Sequence, residues 1–426
     1  MSVVSLDNGI PHTADKLKIL ICLLYYFPHR TGLTIHVQRV AEELVRRGHE
    51  VTVLTARYNK SLPRDDVWMH EGVRIVRLWA PLRINRGMVM PAYPIAIYDL
   101  LRQHDVVSIH TPMLETAVVT LAAMLTGHKV LITHHGDLIL PKDQGWFSRF
   151  IERAVFAMYK FAAHRAGRIF AYSQDYAENS YYLKPFLDKV DVIYPPITMP
   201  MPDPAKVREL RAKWSPDGSP IIGFAGRFVE EKRPDLLIKA LDVVEKKYPN
   251  VRIVFAGEYD IPYEHTWARY KSLVESRRDH LIFLGLTPDM QDMANFYAAC
   301  DVLALTSDTE CFALVQVEAM LCGTPVVMTD IPGGRVPVMK TGMGKLASQG
   351  DSISIGEALL EVIDHRDDYV KPRAQIEAVF SFKETVDRYE RHFRKYARRK
   401  RAPKVTMQSA SAAPHSPSIE PEHPER

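Results

Sequence analysis

Glu310 and Glu318 have seven residues between them and flank the start of an apolar block, residues 312–321. Glu318 lies inside that block, among Val315, Val317, Ala319 and Met320. An ionised carboxylate in apolar surroundings is costly unless something hydrogen-bonds to it. Two arrangements would satisfy Glu318. It can face solvent or a basic neighbour, or it can turn into a cleft and accept from ligand hydroxyls. The helix that the block predicts would open near Ala313, where free amides and partial positive charge suit a phosphate. One carboxylate before that terminus and another about two turns in could hold a ligand with hydroxyls at both ends and phosphate between.

The elements around the pair are readable. Residues 301–305 form an apolar run that predicts a buried strand. Ser307, Asp308 and Thr309 supply capping residue types, and Cys322-Gly323 followed by Pro325 stops the helix. Residues 325–329 predict the next strand, which makes a strand–helix–strand unit.

Two cations, Arg227 and Lys232, lie in the turn after another predicted strand, residues 221–225. Cations at such a turn suit a diphosphate, each charge-assisted hydrogen bond contributing about 1.5–3 kcal/mol. Taken alone, Lys232 reads as a solvated lysine at a helix start; only the distal glutamate pair raises it above that.

In the first half, a strand over 17–25, a loop containing Gly32, a helix over 35–47 and a strand over 51–55 predict a βαβ unit. Its loop lies where open α/β sheets bind ligands, and glycine there lets a ligand approach the backbone. Further strands are expected at 73–78, 106–110 and 130–133. The last ends in His134-His135-Gly136-Asp137, and no third metal ligand follows at a recognisable spacing. The Pro-rich stretch 80–97 reads as irregular.

The run from Glu310 to Val327, E-C-F-A-L-V-Q-V-E-A-M-L-C-G-T-P-V-V, resembles the E-x7-E motif of the retaining GT4-type glycosyltransferases of GT-B fold. That motif commonly reads E-G-F-G-L-x-x-x-E-A-M-A-x-G-x-P-V-V, so Cys311 and Ala313 replace glycines. Residues 226–232 resemble the family's G-R-x4-K, matched at Arg227 and Lys232. Residues 46–55, R-R-G-H-E-V-T-V-L-T, are also similar. The chain departs from the family at Thr31-Gly32, where Gly-Gly is usual, and at Pro195-Pro196, where Asn-Gly is usual. It departs again at Arg335, where an acidic residue often follows the Gly-Gly.

The resemblance implies an α/β GT-B architecture, two Rossmann-like domains facing across a cleft. It also implies hexosyl transfer with retention from a GDP- or UDP-linked sugar to an acceptor hydroxyl, by a front-face route, in glycan or glycolipid assembly. Glu318 would accept from the ribose, and Arg227 and Lys232 would neutralise the diphosphate. Glu310, with the backbone of Phe312, Ala313 and Leu314, would orient the sugar. His135 would hydrogen-bond the sugar near its reacting carbon, Gly32 would face the reaction centre, and Leu286 would lie by the base. No cofactor is implied, and a chain with these cations and no D-x-D pattern is not expected to need a metal.

The length of 426 residues suits two domains, with 46% hydrophobic and 25% charged residues typical of a globular chain. A formal net charge of +4 gives no argument for nucleic acid. Cys22, Cys300, Cys311 and Cys322 read as reduced thiols of a cytoplasmic protein. No run reaches the eighteen or so apolar residues that span a bilayer, and residues 19–27 fit a first strand better than a signal peptide. Residues 146–167 predict a two-sided helix with a basic face, which could pack on a sheet or rest peripherally on an anionic membrane at its inner face.

The expected organisation is a flexible leader (1–15), an acceptor domain (16–198), a nucleotide-sugar domain (199–380), a helix crossing back to the first domain (381–401) and a disordered tail (402–426). The partners expected are a nucleotide sugar and a glycan or lipid-linked acceptor. Two other readings fit: a GT-B sugar-nucleotide epimerase, and a non-catalytic partner in polysaccharide assembly.

Overall fold

A computed structural model describes residues 16–59, 61–62, 67–84, 87–138, 145–261, 266–287 and 289–398. The leader 1–15 and the tail 402–426 lie outside the described residues, as do the last three positions of the segment 381–401.

Two parallel sheets dominate. The first runs in the spatial order Val190–Val192, Arg168–Ala171, Val130–His134, Val106–Thr111, Lys18–Cys22, Glu50–Arg57, Val73–Trp79, Val67–His70. Its one antiparallel pair is the outermost, Val67–His70 on Val73–Trp79. The second runs Leu281–Gly285, Arg252–Ala256, Ile221–Ala225, Val302–Leu305, Val326–Thr329, Gly344–Ala347, parallel throughout. Inner strands such as Lys18–Cys22 and Ile221–Ala225 are near-continuous apolar runs because helices cover both faces of a parallel sheet. These are the two Rossmann-like lobes of a GT-B fold.

In the first lobe, helices Tyr93–Gln103, Thr116–Thr126 and Gly145–Arg165 cover one face, where Ile97, Val119 and Tyr159 meet Leu20 and Ile109. Helix Gly32–Arg46 covers the other face together with the last helix, Phe382–Tyr396. Val386, Tyr389 and Phe393 of that helix share a core with Ile19, Val37 and Phe170. It is tied down further by Arg47, which bonds Asp387 at 2.6 Å and Glu390 at 3.0 Å.

Two local expectations change. The first helix starts at Gly32, three residues earlier than its apolar spacing suggests. Thr31 caps it by accepting from the Thr34 amide while the Thr34 side chain takes the Thr31 amide. This is a capping box with threonine in place of the usual Glu or Gln. Within 80–97, Leu82–Ile84 pairs with Gly87–Val89 as a hairpin, and a helix opens at Tyr93. Pro94 lies in its first turn, where a missing N–H costs nothing.

Candidate functional site

The second-lobe site is built by two loops that leave neighbouring strands and are stitched together. One runs from Gly226 to Arg233, after Ile221–Ala225; the other runs from Thr306 to Ala313, after Val302–Leu305. The Thr306 hydroxyl donates to the carbonyls of Lys232 and Arg233 at 2.9 and 2.8 Å, and the Asp308 amide donates to Glu231. This brings the Lys232 ammonium against the Glu310 carboxylate, which also accepts from the Ser307 hydroxyl at 2.9 Å. Burial disfavours the charge of Lys232, but the Glu310 carboxylate outweighs it and holds the lysine above its ordinary range. Arg227 lies 3.7 Å from Glu231 and keeps about a third of its side chain exposed.

Helix Leu314–Leu321 follows directly. Its cap, Ala313, has φ 58 and ψ 75, a left-handed conformation that favours glycine. No side chain caps this helix; the Gln316 amide turns back to the Ala313 carbonyl at 3.1 Å, and the Leu314 and Val315 amides before it have no capping side chain. Gly333, at φ 78, backs the loop: a Cβ there would stand 2.6 Å from the Glu310 carbonyl. Cys311 packs partly against the first-lobe core, and its thiol is pushed up to about 12, by burial first and then by Glu310.

The first lobe closes on this site at four places. A Cβ on Gly32 would lie 3.1 Å from the Leu314 side chain. Arg39, two turns further along the same helix, reaches Glu318 at 3.5 Å. The second oxygen of Glu318 accepts from the Tyr297 hydroxyl at 3.1 Å. Asp175 accepts from the Gly333 amide at 2.8 Å and from Arg335 at 3.1 and 2.5 Å. His29 is held below the usual histidine range by burial and then by the Arg227 guanidinium opposite it.

His135 lies on the first-lobe wall with both ring nitrogens occupied. Nε2 is hydrogen-bonded to His110 at 2.8 Å, and Nδ1 to the Tyr172 hydroxyl. His36 stands edge-on to it, ring centroids 5.2 Å apart. Burial and then the neighbouring imidazoles push His135 well down, and burial takes His110 to about 3, so both rings are neutral at neutral pH. His134 is structural, bonded to Thr111 and Asp137.

The structure thus brings Lys232 to Glu310, Gly32 to Leu314 and Glu318 to Arg39 of the opposite lobe, while Phe312 is fully buried against Tyr172, the hydrogen-bond partner of His135. Leu286 is exposed in the loop that follows Leu281–Gly285. Arg39 and Asp175, which bond across the lobes, and His110 and Tyr172, the buried partners of His135, are further polar groups that the sequence did not single out. Arg335, which departs from the family pattern, has found an acid in the opposite lobe. Among the described residues, no group of three or more His, Cys, Asp or Glu is arranged to hold a metal ion.

Comparison with known proteins identifies the family of both lobes. The model described as "Glycosyl transferase 4-like domain" matches residues 31–196, and that described as "Glycosyl transferases group 1" matches residues 206–378. A D-inositol 3-phosphate glycosyltransferase of Mycolicibacterium smegmatis is 32% identical over 207 residues, 47% of this chain and 46% of that protein, so the match spans about half its length. A GDP-mannose-dependent alpha-mannosyltransferase of Mycobacterium tuberculosis is 25% identical over 364 residues, 83% of this chain and 90% of that protein. Among solved structures, Anabaena HepE in complex with UDP and glucose superposes with a TM-score of 0.71 at 18% identity, covering 89% of this chain and 99% of that one. With both lobes matched in order and the E-x7-E and G-R-x4-K residues meeting at one cleft, this chain belongs to the GT4-type, group 1 glycosyltransferases of GT-B fold.

Proposed function

We propose that the protein transfers a hexosyl group from a GDP- or UDP-linked sugar to an acceptor hydroxyl on a glycan or lipid-linked molecule, with retention of configuration. The observation that carries this reading is the meeting of Lys232, Glu310 and the open start of Leu314–Leu321 opposite Gly32. In it the Leu314 and Val315 amides and the two cations, Arg227 and Lys232, take the diphosphate. As the sugar–phosphate bond breaks, negative charge grows on the leaving oxygen, and preplaced cations lower that barrier. Glu310, positioned by Ser307 and Lys232, orients the sugar, and Glu318 accepts from the ribose.

The acceptor hydroxyl enters from the face by which the diphosphate leaves, and a leaving phosphate oxygen takes its proton. Two features support this route over a covalent enzyme intermediate: Glu310 is already engaged by a cation and a hydroxyl, and the Cys311 thiol is held protonated. His135 acts in this reading through its ring edge, or by exchanging Tyr172 for a sugar hydroxyl. The reading needs no divalent ion, since side-chain cations do that work. The four free cysteines support a cytoplasmic setting.

The test is thermal unfolding with UDP, GDP, ADP and their sugar conjugates. A ligand at a hundred times its Kd stabilises by about 2.7 kcal/mol, a rise of several degrees. One base should raise the Tm, and Arg227→Ala and Glu318→Ala should abolish the rise. A folded sample that responds to none of them would defeat the proposal.

A further inference from the structure

Helix Thr116–Thr126, T-A-V-V-T-L-A-A-M-L-T, contains no charged residue, yet it is not enclosed. It packs between Tyr93–Gln103 and Gly145–Arg165, and Leu121, Met124 and Leu125, at i, i+3 and i+4, point outward. Leu125 is 79% exposed and Leu121 51%. An uncharged helix ordinarily lies inside a protein or within a lipid phase.

Its neighbours extend the apolar surface. Ile95 is exposed on one flank; Trp146 and Phe150 are exposed on the other. Monomeric proteins rarely expose so many large apolar side chains on adjoining helices.

The charges around this ridge have one dominant sign. Arg102 is exposed on Tyr93–Gln103, and Arg149, Arg153, Lys160 and Arg165 are exposed along Gly145–Arg165; the acids on these helices are Asp99 and the half-buried Glu152. The outer stripe of Gly145–Arg165 reads Trp146, Arg149, Phe150, Arg153, Lys160, which alternates side chains suited to acyl chains with side chains suited to anionic headgroups. A protein partner would have to be both apolar at its centre and acidic at its rim. A bilayer containing anionic lipid has both properties everywhere. None of the described helices is long and apolar enough to cross a membrane, so contact through this face would be peripheral.

We propose that the outer face of these three helices docks the first lobe on an anionic lipid bilayer, with Leu121, Met124 and Leu125 at the centre of the footprint and the basic residues of Gly145–Arg165 at its edge. The inference rests on the surface and not on the transfer reaction, and its test needs no turnover.

The experiment is co-sedimentation of the full chain with vesicles of phosphatidylcholine alone and of phosphatidylcholine mixed with phosphatidylglycerol, at low and high salt. The protein should pellet with the anionic vesicles and be released by salt. Leu121→Ser with Leu125→Ser, and separately Arg149→Glu with Arg153→Glu, should each weaken binding about tenfold or more. All four positions are exposed, so the Tm and its rise with nucleotide should be unchanged in both variants, which separates this result from the nucleotide reading. Wild-type protein left in the supernatant with anionic vesicles, or variants that pellet like wild type, would overturn the proposal. So would equal binding to both lipids. A wild-type dimer in light scattering that the leucine variant turns into a monomer would assign the face to a second copy of the chain instead.

Discussion

Arg39 and Glu318 meet across the cleft, Nη2 to Oε1 at 3.5 Å, although 279 positions separate them in the chain. Arg39 also donates to the Pro196 carbonyl at 3.0 Å and the Thr198 carbonyl at 3.4 Å, in the connection between the lobes. One guanidinium therefore touches the connection, the first lobe through its own helix, and the carboxylate proposed to take the ribose. Arg39→Ala should cost about 1–2 kcal/mol in urea unfolding, because it strands a mostly buried carboxylate. Glu318→Gln added to it should cost less than the two single changes summed, by about 1 kcal/mol. Additive costs would show that the pair is not coupled.

Lys232→Ala should lower turnover about ten- to a hundredfold, the loss of one charge-assisted contact made in the transition state. It also leaves Glu310 without its cation, so donor binding should weaken as well. Circular dichroism of the variant should match wild type. Unchanged kcat/KM in a folded variant would remove Lys232 from the reaction.

Ala313→Gly should be neutral or stabilising by about 0.5 kcal/mol, because glycine relieves a left-handed alanine. Ala319→Gly, inside the helix that follows, should destabilise by about 1 kcal/mol. The same substitution six positions apart thus changes sign with φ. Urea midpoints at constant m-value are the measurement.

His36, His110 and His135 are all held below the ordinary histidine pKa, in each case by burial first. Below about pH 6.5 the unfolded chain takes up protons that these folded rings refuse, so stability falls as pH falls. Each ring contributes a slope of about 1.4 kcal/mol per pH unit until its folded pKa is reached, and nothing above about pH 7.5. Stability should therefore be level from pH 7.5 to 8 and drop steeply between 6 and 5. His110→Gln should make that drop shallower by one histidine's slope; an unchanged slope would mean that His110 is protonated in the folded chain.

Much of the candidate site is legible in the sequence because its groups are local. Glu310, Ala313 and Glu318 lie within nine positions, and Arg227 and Lys232 share one turn, so spacing alone brings them to strand ends. The cross-cleft partners were not legible. Arg39 reads as a polar residue on the outer side of an amphipathic helix, and Asp175 as an acid in the first turn of helix Gln174–Asn179. Only the closure of one lobe on the other gives them partners. The same holds for Arg335, which departs from the family pattern and pairs with Asp175 of the opposite lobe. The exposed face of the uncharged helix 116–126 is not legible for another reason: an apolar run without period says that a segment is covered, not by what.

Because Val386, Tyr389 and Phe393 complete the core beneath Ile19, Val37 and Phe170, the first lobe to be synthesised is not the first that can be finished. A ribosome releases residues 16–198 long before the helix that closes one side of their sheet. During that interval the apolar face of the early strands has no cover from the last helix. Chaperone dependence during translation, and insolubility of the first lobe expressed alone, follow from this order of arrival; supplying Phe382–Tyr396 as a separate peptide or a fused segment should restore solubility.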